Sequence, residues 1–197
     1  MLSHNGTKTL ETGRLVLRQF RVDDYMDMFK NWASEDEVTK YLTWPTHTNP
    51  DDTKMILTDW SGKYCAKDFY NWAIELKSER SVIGNISVVL YRKETMSANL
   101  GWCIGTRWWG KEIMPEAGRA VLKYLFEDVG FNRIAADHDK DNPKSGRVMQ
   151  KIGMSYEGTL RRAGFNNQGI IDEVWYSILK DEWLAQKKAL VKRTTLD

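Results

Sequence analysis

The sequence has few cysteines, little net charge and no long apolar run, and each shortage excludes a class of protein. Its 197 residues hold only two cysteines, Cys65 and Cys103, so a disulfide framework is not expected and a reducing compartment, the cytoplasm, is predicted. The formal net charge of +2 is too small for a nucleic-acid partner, whose binding needs a concentrated basic face. No apolar run approaches the ~20 residues that span a bilayer, and the polar segment Met1 to Leu10 predicts neither a signal peptide nor a membrane partner.

The sequence also lacks the motifs of several ligand classes. Zinc-ligand spacing, a Walker loop, G-x-G-x-x-G and G-x-S-x-G are absent. Asp137, Asp139 and Asp141 suggest the start of a calcium loop. Asn142 replaces the glycine that such a loop needs, and Val148 replaces its closing glutamate. The sequence therefore predicts no metal site.

The composition is typical of a globular protein of one domain. Hydrophobic residues make up 42% and charged residues 28% of the chain. No repeat or linker divides the sequence, so residues 1–197 are predicted to form a single domain. We expect an ordered core over about residues 12–184, with a frayed start over 1–12 and a frayed basic tail over 187–197.

Hydrophobic periodicity predicts a series of strands and helices. Strands are predicted over residues 14–20, 71–76, 82–91, 98–104, 133–137, 154–160 and 172–179. Helices are predicted over residues 25–32, 50–60, 115–128 and 142–153, and Gly62, Gly130 and Gly153 are expected to end three of them. The strands between 71 and 104 should form an antiparallel meander, and the step from 98 to 137 a right-handed crossover. This order predicts an α+β fold around one mixed sheet.

The stretch from Leu100 to Ala117 carries the clearest functional signal. A strand ends near Ile104 and a helix begins near Pro115, so the loop between them aims backbone N–H groups and a helix dipole at one point. Arg107 and Lys111 add positive charge beside that point. The pattern is typical of a phosphate site, although an ordinary loop with two solvated cations fits it as well.

Two motifs of the sequence, at residues 109–114 and 142–154, resemble those of the GNAT superfamily of N-acetyltransferases, and in particular the group that acetylates ribosomal-protein N-termini. The sequence Trp109-Gly110-Lys111-Glu112-Ile113-Met114 is similar to the acetyl-CoA motif Q/R-x-x-G-x-G/A in its form Trp-Gly-Lys-Gly-Tyr-Ala. The segment from Asn142 to Met154 is similar to N-x-x-S-x-x-V/L-x-x-K-x-G-F/M, at the expected distance. The resemblance covers about Arg14 to Trp183. It implies a mixed, mostly antiparallel central sheet flanked by helices, a three-layer α/β/α sandwich.

The resemblance implies acetyl-CoA as the cofactor and assigns residues to it. Cys103 and Ile104 would pair their backbone with the pantetheine arm. Asn142 would bond the same arm, although it also fits a helix cap. The pyrophosphate would lie on the amides of Trp109, Gly110, Lys111, Glu112, Ile113 and Met114.

The sequence departs from the family motif at two positions in this loop. Glu112 replaces a glycine, which permits close approach to phosphate, and Met114 replaces a small residue. A near-helical backbone at Glu112, with its carboxylate in solvent, would reconcile the first departure.

The resemblance also directs attention to acid and base candidates. Many family members use a tyrosine on the last helix as the acid, and the matching position here is Met149, which has no proton to donate. Ser145 is the candidate replacement, unless its hydroxyl only bonds back to its own helix. The backbone N–H near Ile104 is the expected donor to the developing oxyanion.

Three side chains are candidates for the base. Asp137 ends a predicted strand, and Glu173 lies on the last strand pair. His138 has the most suitable intrinsic pKa but is expected to face the other side of its strand.

These observations predict an acetyl-CoA-dependent N-acetyltransferase with a protein or peptide N-terminal α-amine as acceptor. An α-amine has a pKa of ~7.7–8.0 and lysine ~10.4, so near pH ~7 about a tenth of the first but only a few in ten thousand of the second are neutral. The segment from Arg161 to Gly169, in which Phe165 and Asn166 offer contacts and two glycines permit mobility, is a predicted wall of the acceptor cleft. A polyamine or antibiotic acceptor, a catalytically degenerate acyl-CoA-binding module, and a monomeric or homodimeric state all stay open.

Overall fold

The strands of the chain form one eight-stranded sheet in the computed structural model, which describes residues 1–194. The strands are β1 (Leu10–Glu11), β2 (Leu15–Arg18), β3 (Asn71–Leu76), β4 (Ser81–Arg92), β5 (Ser97–Ile104), β6 (Arg133–Asp139), β7 (Ser155–Asn166) and β8 (Gly169–Leu179). Their order in the sheet is β1-β2-β3-β4-β5-β6-β8-β7. Only β5 and β6 pair in parallel among these strands, so the predicted mixed, mostly antiparallel sheet is confirmed.

Helices cover both faces of this sheet. They are α1 (Tyr25–Met28, continued by a π-helical turn Phe29–Ala33), α2 (Asp36–Thr39), α3 (Pro50–Lys63), α4 (Ile113–Tyr124, continued by Leu125–Val129), α5 (Pro143–Lys151) and α6 (Lys180–Thr194). Gly130 and Gly153 end α4 and α5 as predicted, each with a left-handed backbone at φ 92°. Gly62 does not end α3, which continues to Lys63.

Two hydrophobic clusters separate the three layers. One lies between the sheet and α4 and α5, and it includes Val121, Ile134 and Met149. The other lies between the sheet and α1 to α3, and it includes Met28 and Leu57. Helices therefore flank the sheet on both sides, as the three-layer prediction requires.

Both ends of the chain contact the rest of the fold. Before residue 12, the N–H of Ser3 donates to the carbonyl of Val129 at 2.8 Å, and Thr7 is buried. At the other end α6 extends into the predicted tail, where Lys187 forms an ion pair with Glu127. Residues 195–197 of that tail lie outside the described residues. Over residues 1–194 no helix is both long and apolar enough to cross a membrane.

A gap between β5 and β6 opens the sheet. The two strands pair only from Ser97 opposite Arg133 to Leu100 opposite Ala136. Ile83, next to the Gly84–Ile104 pair, accepts from the N–H of Gly105. Because bonded and non-bonded pairs alternate in antiparallel strands, the backbone of Ile104 turns away from β4 and into the gap.

Candidate active site

A cavity of about 770 Å³ lies at this gap and reaches both faces of the sheet. We call one part the α4–α5 half, because its walls belong to the first hydrophobic cluster: Ile104, Trp108, Ile113, Met114 and Val148. We call the other part the α1–α3 half, because its walls belong to the second cluster: Met28, Val38, Leu42, Trp44, Trp60 and Cys103. Trp109 packs against both clusters and stands between the halves.

The loop before α4 presents free backbone N–H groups to the α4–α5 half. Those of Gly110, Glu112, Ile113 and Met114 have no hydrogen-bond acceptor among the described residues. The remaining two predicted amides are engaged within the loop, Trp109 with the carbonyl of Thr106 and Lys111 with that of Trp108. Four free amides at a helix N-terminus form a site for an anion, so the residues present fit the phosphates of acetyl-CoA.

The backbone at Glu112 corrects the prediction for that residue. Its φ is 59°, in the left-handed region that favours glycine, and its neighbour Gly110 has φ 74°. The expected near-helical backbone is therefore wrong, and the glycine of the family motif has a conformational reason here. The carboxylate of Glu112 forms an ion pair with Lys151 across α5, instead of facing solvent alone. The second departure from the family motif, Met114 in place of a small residue, does not block the loop. The side chain of Met114 is buried in the core, and its N–H is free.

Arg14 holds the loop from behind. Its guanidinium donates to the carbonyl of Lys111 at 2.9 Å and to that of Glu112 at 3.1 Å, while its Nε bonds Glu116 at 2.6 Å. Although burial acts to raise the pKa of Glu116, hydrogen bonds from Thr12 and Arg14 lower it below its ordinary value. Carbonyls that point back to Arg14 leave the N–H groups facing the cavity. Sequence reasoning missed this role, since Arg14 and Lys111 are 97 positions apart.

The cations of the region divide differently from the prediction. Arg107 pairs with Glu79 at 3.4 Å, so its charge is not free for a phosphate. Lys144, Arg147 and Lys151 of α5 line the cavity instead. Lys151 had a signal in the sequence, because it occupies the lysine position of the second motif.

Asn142 and Ser145 meet at the start of α5. Asn142 stands at the cap position, but its side chain makes no capping bond and donates from Nδ2 to Oγ of Ser145 at 3.2 Å. The Ser145 hydroxyl lines the cavity and donates to no carbonyl of α5 among the described residues. Met149, at the position of the family tyrosine, is 1% exposed in the core. On α5, the hydroxyl that lines the cavity is therefore that of Ser145, one turn before Met149.

The two predicted carboxylates lie on one face of the sheet. Asp137 is opposite Trp175, and Glu173 is opposite Asp139 on the same pair of strands. Burial, assisted by repulsion from Glu173, raises the pKa of Asp137 to about 6. Glu173 is fixed by the indole N–H of Trp175 at 2.9 Å. Asp137 lines the cavity, so it is the carboxyl that a bound amine would meet.

His138 faces the opposite side of β6, as predicted. Its Nδ1 donates to the carbonyl of Asp139 at 2.7 Å, and its ring stacks on Tyr176 with centroids 6.0 Å apart. A Cβ at Gly146 would lie 2.6 Å from its Nε2, so the ring is packed tightly against α5. The imidazole is therefore separated from Asp137 by the strand.

Cys103 has a different part from the one expected. Successive residues of a strand point their backbone N–H and C=O groups to opposite sides, so those of Cys103 point to β4 while those of Ile104 point into the gap. Of these two residues, only Ile104 therefore has backbone groups that face the cavity. The thiol of Cys103 donates to Oδ1 of Asn85 at 2.8 Å. Burial raises the pKa of this thiol to about 12, so it stays protonated and is no nucleophile at neutral pH.

The predicted acceptor wall, residues 161–169, forms the tip of the β7–β8 hairpin. Asn167 donates from Nδ2 to the carbonyls of Thr39 at 2.8 Å and Trp44 at 2.9 Å, and its N–H donates to Leu42 at 2.9 Å. Asn166 is buried and bonds Asp139.

The side chain of Phe165 stays available for the predicted contact, whereas of the two glycines only Gly169 has open space around it. Phe165 is 66% exposed. At Gly164 a Cβ would lie 2.1 Å from Glu173, so this glycine serves close packing and not mobility.

A cavity that crosses a split sheet, with free amides on one face and a carboxyl on the other, defines an acyltransferase that uses coenzyme A. The family model for the acetyltransferase (GNAT) domain matches residues 14–155. The chain belongs to the GNAT acetyltransferase family, and its cofactor is acetyl-CoA.

Individual relatives agree with this assignment. The chain is 30% identical to the uncharacterized N-acetyltransferase YnaD of Bacillus subtilis (strain 168), over 88% of this chain and 98% of that protein. It is 34% identical to the [ribosomal protein uS5]-alanine N-acetyltransferase of Escherichia coli (strain K12), over 41% of this chain and 42% of that protein. A GNAT-family acetyltransferase of Bacillus anthracis superposes with a TM-score of 0.78 at 28% identity, over 88% and 99% of the two chains.

Proposed function

We propose that this acetyltransferase acts on the α-amine of a protein or peptide N-terminus. The observation that carries the proposal is the position of Asp137, a partly buried carboxyl in the cavity wall beside the gap, where burial raises its pKa to about 6. The pKa of this carboxyl lies about two units below that of an α-ammonium (~7.7–8.0) but more than four units below that of lysine (~10.4). Proton transfer to Asp137 is therefore less unfavourable from an α-ammonium than from lysine. The similarity to a ribosomal-protein acetyltransferase supports the same class of acceptor.

Each residue has a place in the proposed reaction. The amides of Gly110, Glu112, Ile113 and Met114 bind the pyrophosphate, with Trp109 and Lys111 shaping their loop. The backbone of Ile104, next to Cys103, and the side chain of Asn142 bind the pantetheine arm. Acetyl-CoA supplies an activated acetyl thioester when it is bound.

The chain's own groups then handle charge and protons. Asp137 takes the proton that the amine loses as its nitrogen bonds the acetyl carbon, and burial, assisted by repulsion from Glu173, keeps the pKa of Asp137 high. The N–H of Ile104 stabilises negative charge on the thioester oxygen. As the carbon–sulfur bond breaks, the hydroxyl of Ser145 donates a proton to the leaving sulfur and regains one from solvent in the open cavity.

Residues 1–197 form one acetyltransferase domain in this proposal, and the enzyme works in the cytoplasm. Both cysteines are free thiols, which accords with a reducing compartment.

The test is competition between two peptides of one sequence. One has a free N-terminus and no lysine, and the other has a blocked N-terminus and one lysine. Thiol release from acetyl-CoA is followed at neutral pH, and the free N-terminus should react faster. Faster acetylation of lysine, or acetylation of a polyamine alone, would overturn the proposed acceptor. Binding of acetyl-CoA without turnover on any amine would indicate a binding module.

A further inference from the structure

The α1–α3 half of the cavity has an apolar wall to which the proposed reaction assigns no role. Trp44, Trp60 and Leu42 form its wall, opposite the strand residues Asn85 and Cys103. None of these groups has a part in the proton transfers. We call Trp44, Trp60 and Leu42 the aromatic slot.

The slot is rigid. The ring of Trp60 packs on Phe20 with centroids 5.2 Å apart, and the ring of Trp44 packs on His47 at 5.0 Å. His47 is itself fixed, with Nδ1 2.7 Å from Oγ1 of Thr53. A preorganised apolar wall of this kind binds an apolar group without first losing conformational entropy.

The segment that carries Leu42 and Trp44 is fixed from outside as well. Asn167 of the hairpin tip bonds the carbonyls of Thr39, Leu42 and Trp44. The same hairpin holds Glu173 beside Asp137. One hairpin therefore contacts both the segment that carries the slot and the carboxyl of Asp137.

The charges of the two halves differ. The cationic side chains of the cavity wall, Lys144, Arg147 and Lys151, all come from α5. Asp137 lines the cavity wall on the sheet face that bears the slot, whereas Glu37, which also lines the cavity, is paired with Lys40 at 2.8 Å. An incoming group that fits this half is positively charged at one point and apolar next to it.

We propose that the preferred acceptor carries an apolar side chain on the carbon next to its amine, and that the aromatic slot binds this side chain. The inference rests on the proposed function, because it takes the amine to be a peptide N-terminus. It predicts first residues such as Leu or Phe over Ala or Ser, and it disfavours Glu because of the carboxyl of Asp137 in the cavity wall.

The experiment uses five peptides that differ only in the first residue: Leu, Phe, Ala, Ser and Glu. A hydrophobic pocket discriminates roughly 10- to 200-fold per methylene-sized difference, so kcat/KM for Leu or Phe should exceed that for Ala by tenfold or more. Equal rates for all five, or a preference for Ala, Ser or Glu, would overturn the inference. The wild-type protein suffices for this comparison.

Two variants assign the preference to the slot. Trp60→Ala should lower kcat/KM for the Leu peptide about tenfold more than it lowers kcat/KM for the Ala peptide. Met55→Ala is the matched control, because Met55 is 68% exposed on the same helix. An equal loss for both peptides in Trp60→Ala would contradict a role of the slot in selectivity.

A pair of small amines separates this inference from the proposed function. Phenethylamine and ethanolamine are tested beside the peptides. Acetylation of phenethylamine, with no peptide acetylated, would overturn the peptide acceptor and support the slot. Faster acetylation of ethanolamine would contradict the slot whatever the peptides do.

Discussion

Replacing Glu112 with glycine tests the reasoning about the phosphate loop most directly. A left-handed backbone costs an L-residue roughly 1–2 kcal/mol, and glycine avoids that cost. The ion pair between Glu112 and Lys151 is half exposed at both partners, so its loss costs about 0–1 kcal/mol. The balance is a gain of about 1 kcal/mol in the free energy of unfolding. For a chain of this size that raises the Tm by about 2–4 °C.

Two further variants separate strain from charge. Glu112→Gln keeps the left-handed strain and removes the charge, so it should not raise the Tm. Arg80→Gly is the matched control for strain, because Arg80 is exposed, has φ 50° and lies on the β3–β4 turn. It should raise the Tm as Glu112→Gly does and leave acetyl-CoA affinity unchanged.

The binding readout is calorimetric titration with acetyl-CoA at low and at physiological salt. Glu112→Gly and Glu112→Gln both remove a carboxylate beside four free amides, so both should bind acetyl-CoA more tightly, and most clearly at low salt. A lower Tm in Glu112→Gly would show that the ion pair outweighs the strain. Weaker binding in both variants would show that the Glu112–Lys151 pair organises the loop.

Three other predictions concern the residues around the gap. Arg14→Ala should weaken acetyl-CoA binding by roughly tenfold or more, because the hydrogen bonds from Arg14 to two loop carbonyls are lost. Binding of S-acetylpantetheine, which lacks the pyrophosphate, should stay unchanged. Equal losses of affinity for both ligands would refute the role of Arg14, and Lys77→Ala is the control variant. Ser145→Ala should lower kcat by about 10² with little change in acetyl-CoA affinity, and an unchanged rate would leave Ser145 structural. The raised pKa of Asp137 means that kcat/KM should rise with pH through about 6 and that Asp137→Asn should lose this step. Since the folded state binds this proton more tightly than the unfolded chain does, stability from Asp137 is lost as pH rises from about 4 to 6, and Asp137→Asn should be more stable than wild type at pH ~7 in thermal unfolding.

The sequence predicts the sheet well where local pattern decides the structure. β3 has the predicted bounds, and β4 and β5 differ by a residue or so, because alternation and charged turns set them. β7 and β8 are longer than predicted. Most of their added residues are polar or exposed, and they pair across a hairpin with a register shift between Leu160 and Gly164. Gly62 stays helical because Trp60 and Tyr64 on either side pack into the core.

In the candidate site too, the features that depend on local pattern could be predicted from the sequence, and those that depend on tertiary contacts could not. Motif spacing brings Asn142, Ser145 and the loop to one cavity, and alternation correctly separates His138 from Asp137. The left-handed Glu112 and its pair with Lys151, 39 positions away, depend on tertiary contacts that no local pattern contains. The same is true of Asn167, which acts on residues more than 120 positions earlier.

Trp109 contacts both halves of the cavity and therefore connects the two faces of the sheet. Its Nε1 bonds the carbonyl of Ile104 at 2.8 Å, the ammonium of Lys144 lies 3.8 Å from its ring centre, and its ring touches both hydrophobic clusters. A ligand that displaces this indole on one face changes the surface that a second ligand meets on the other. Linkage would make such an effect reciprocal, so that acetyl-CoA and the acceptor would alter each other's affinity by the same factor. An alanine at this position should weaken that coupling, which titration of each ligand in the presence of the other measures.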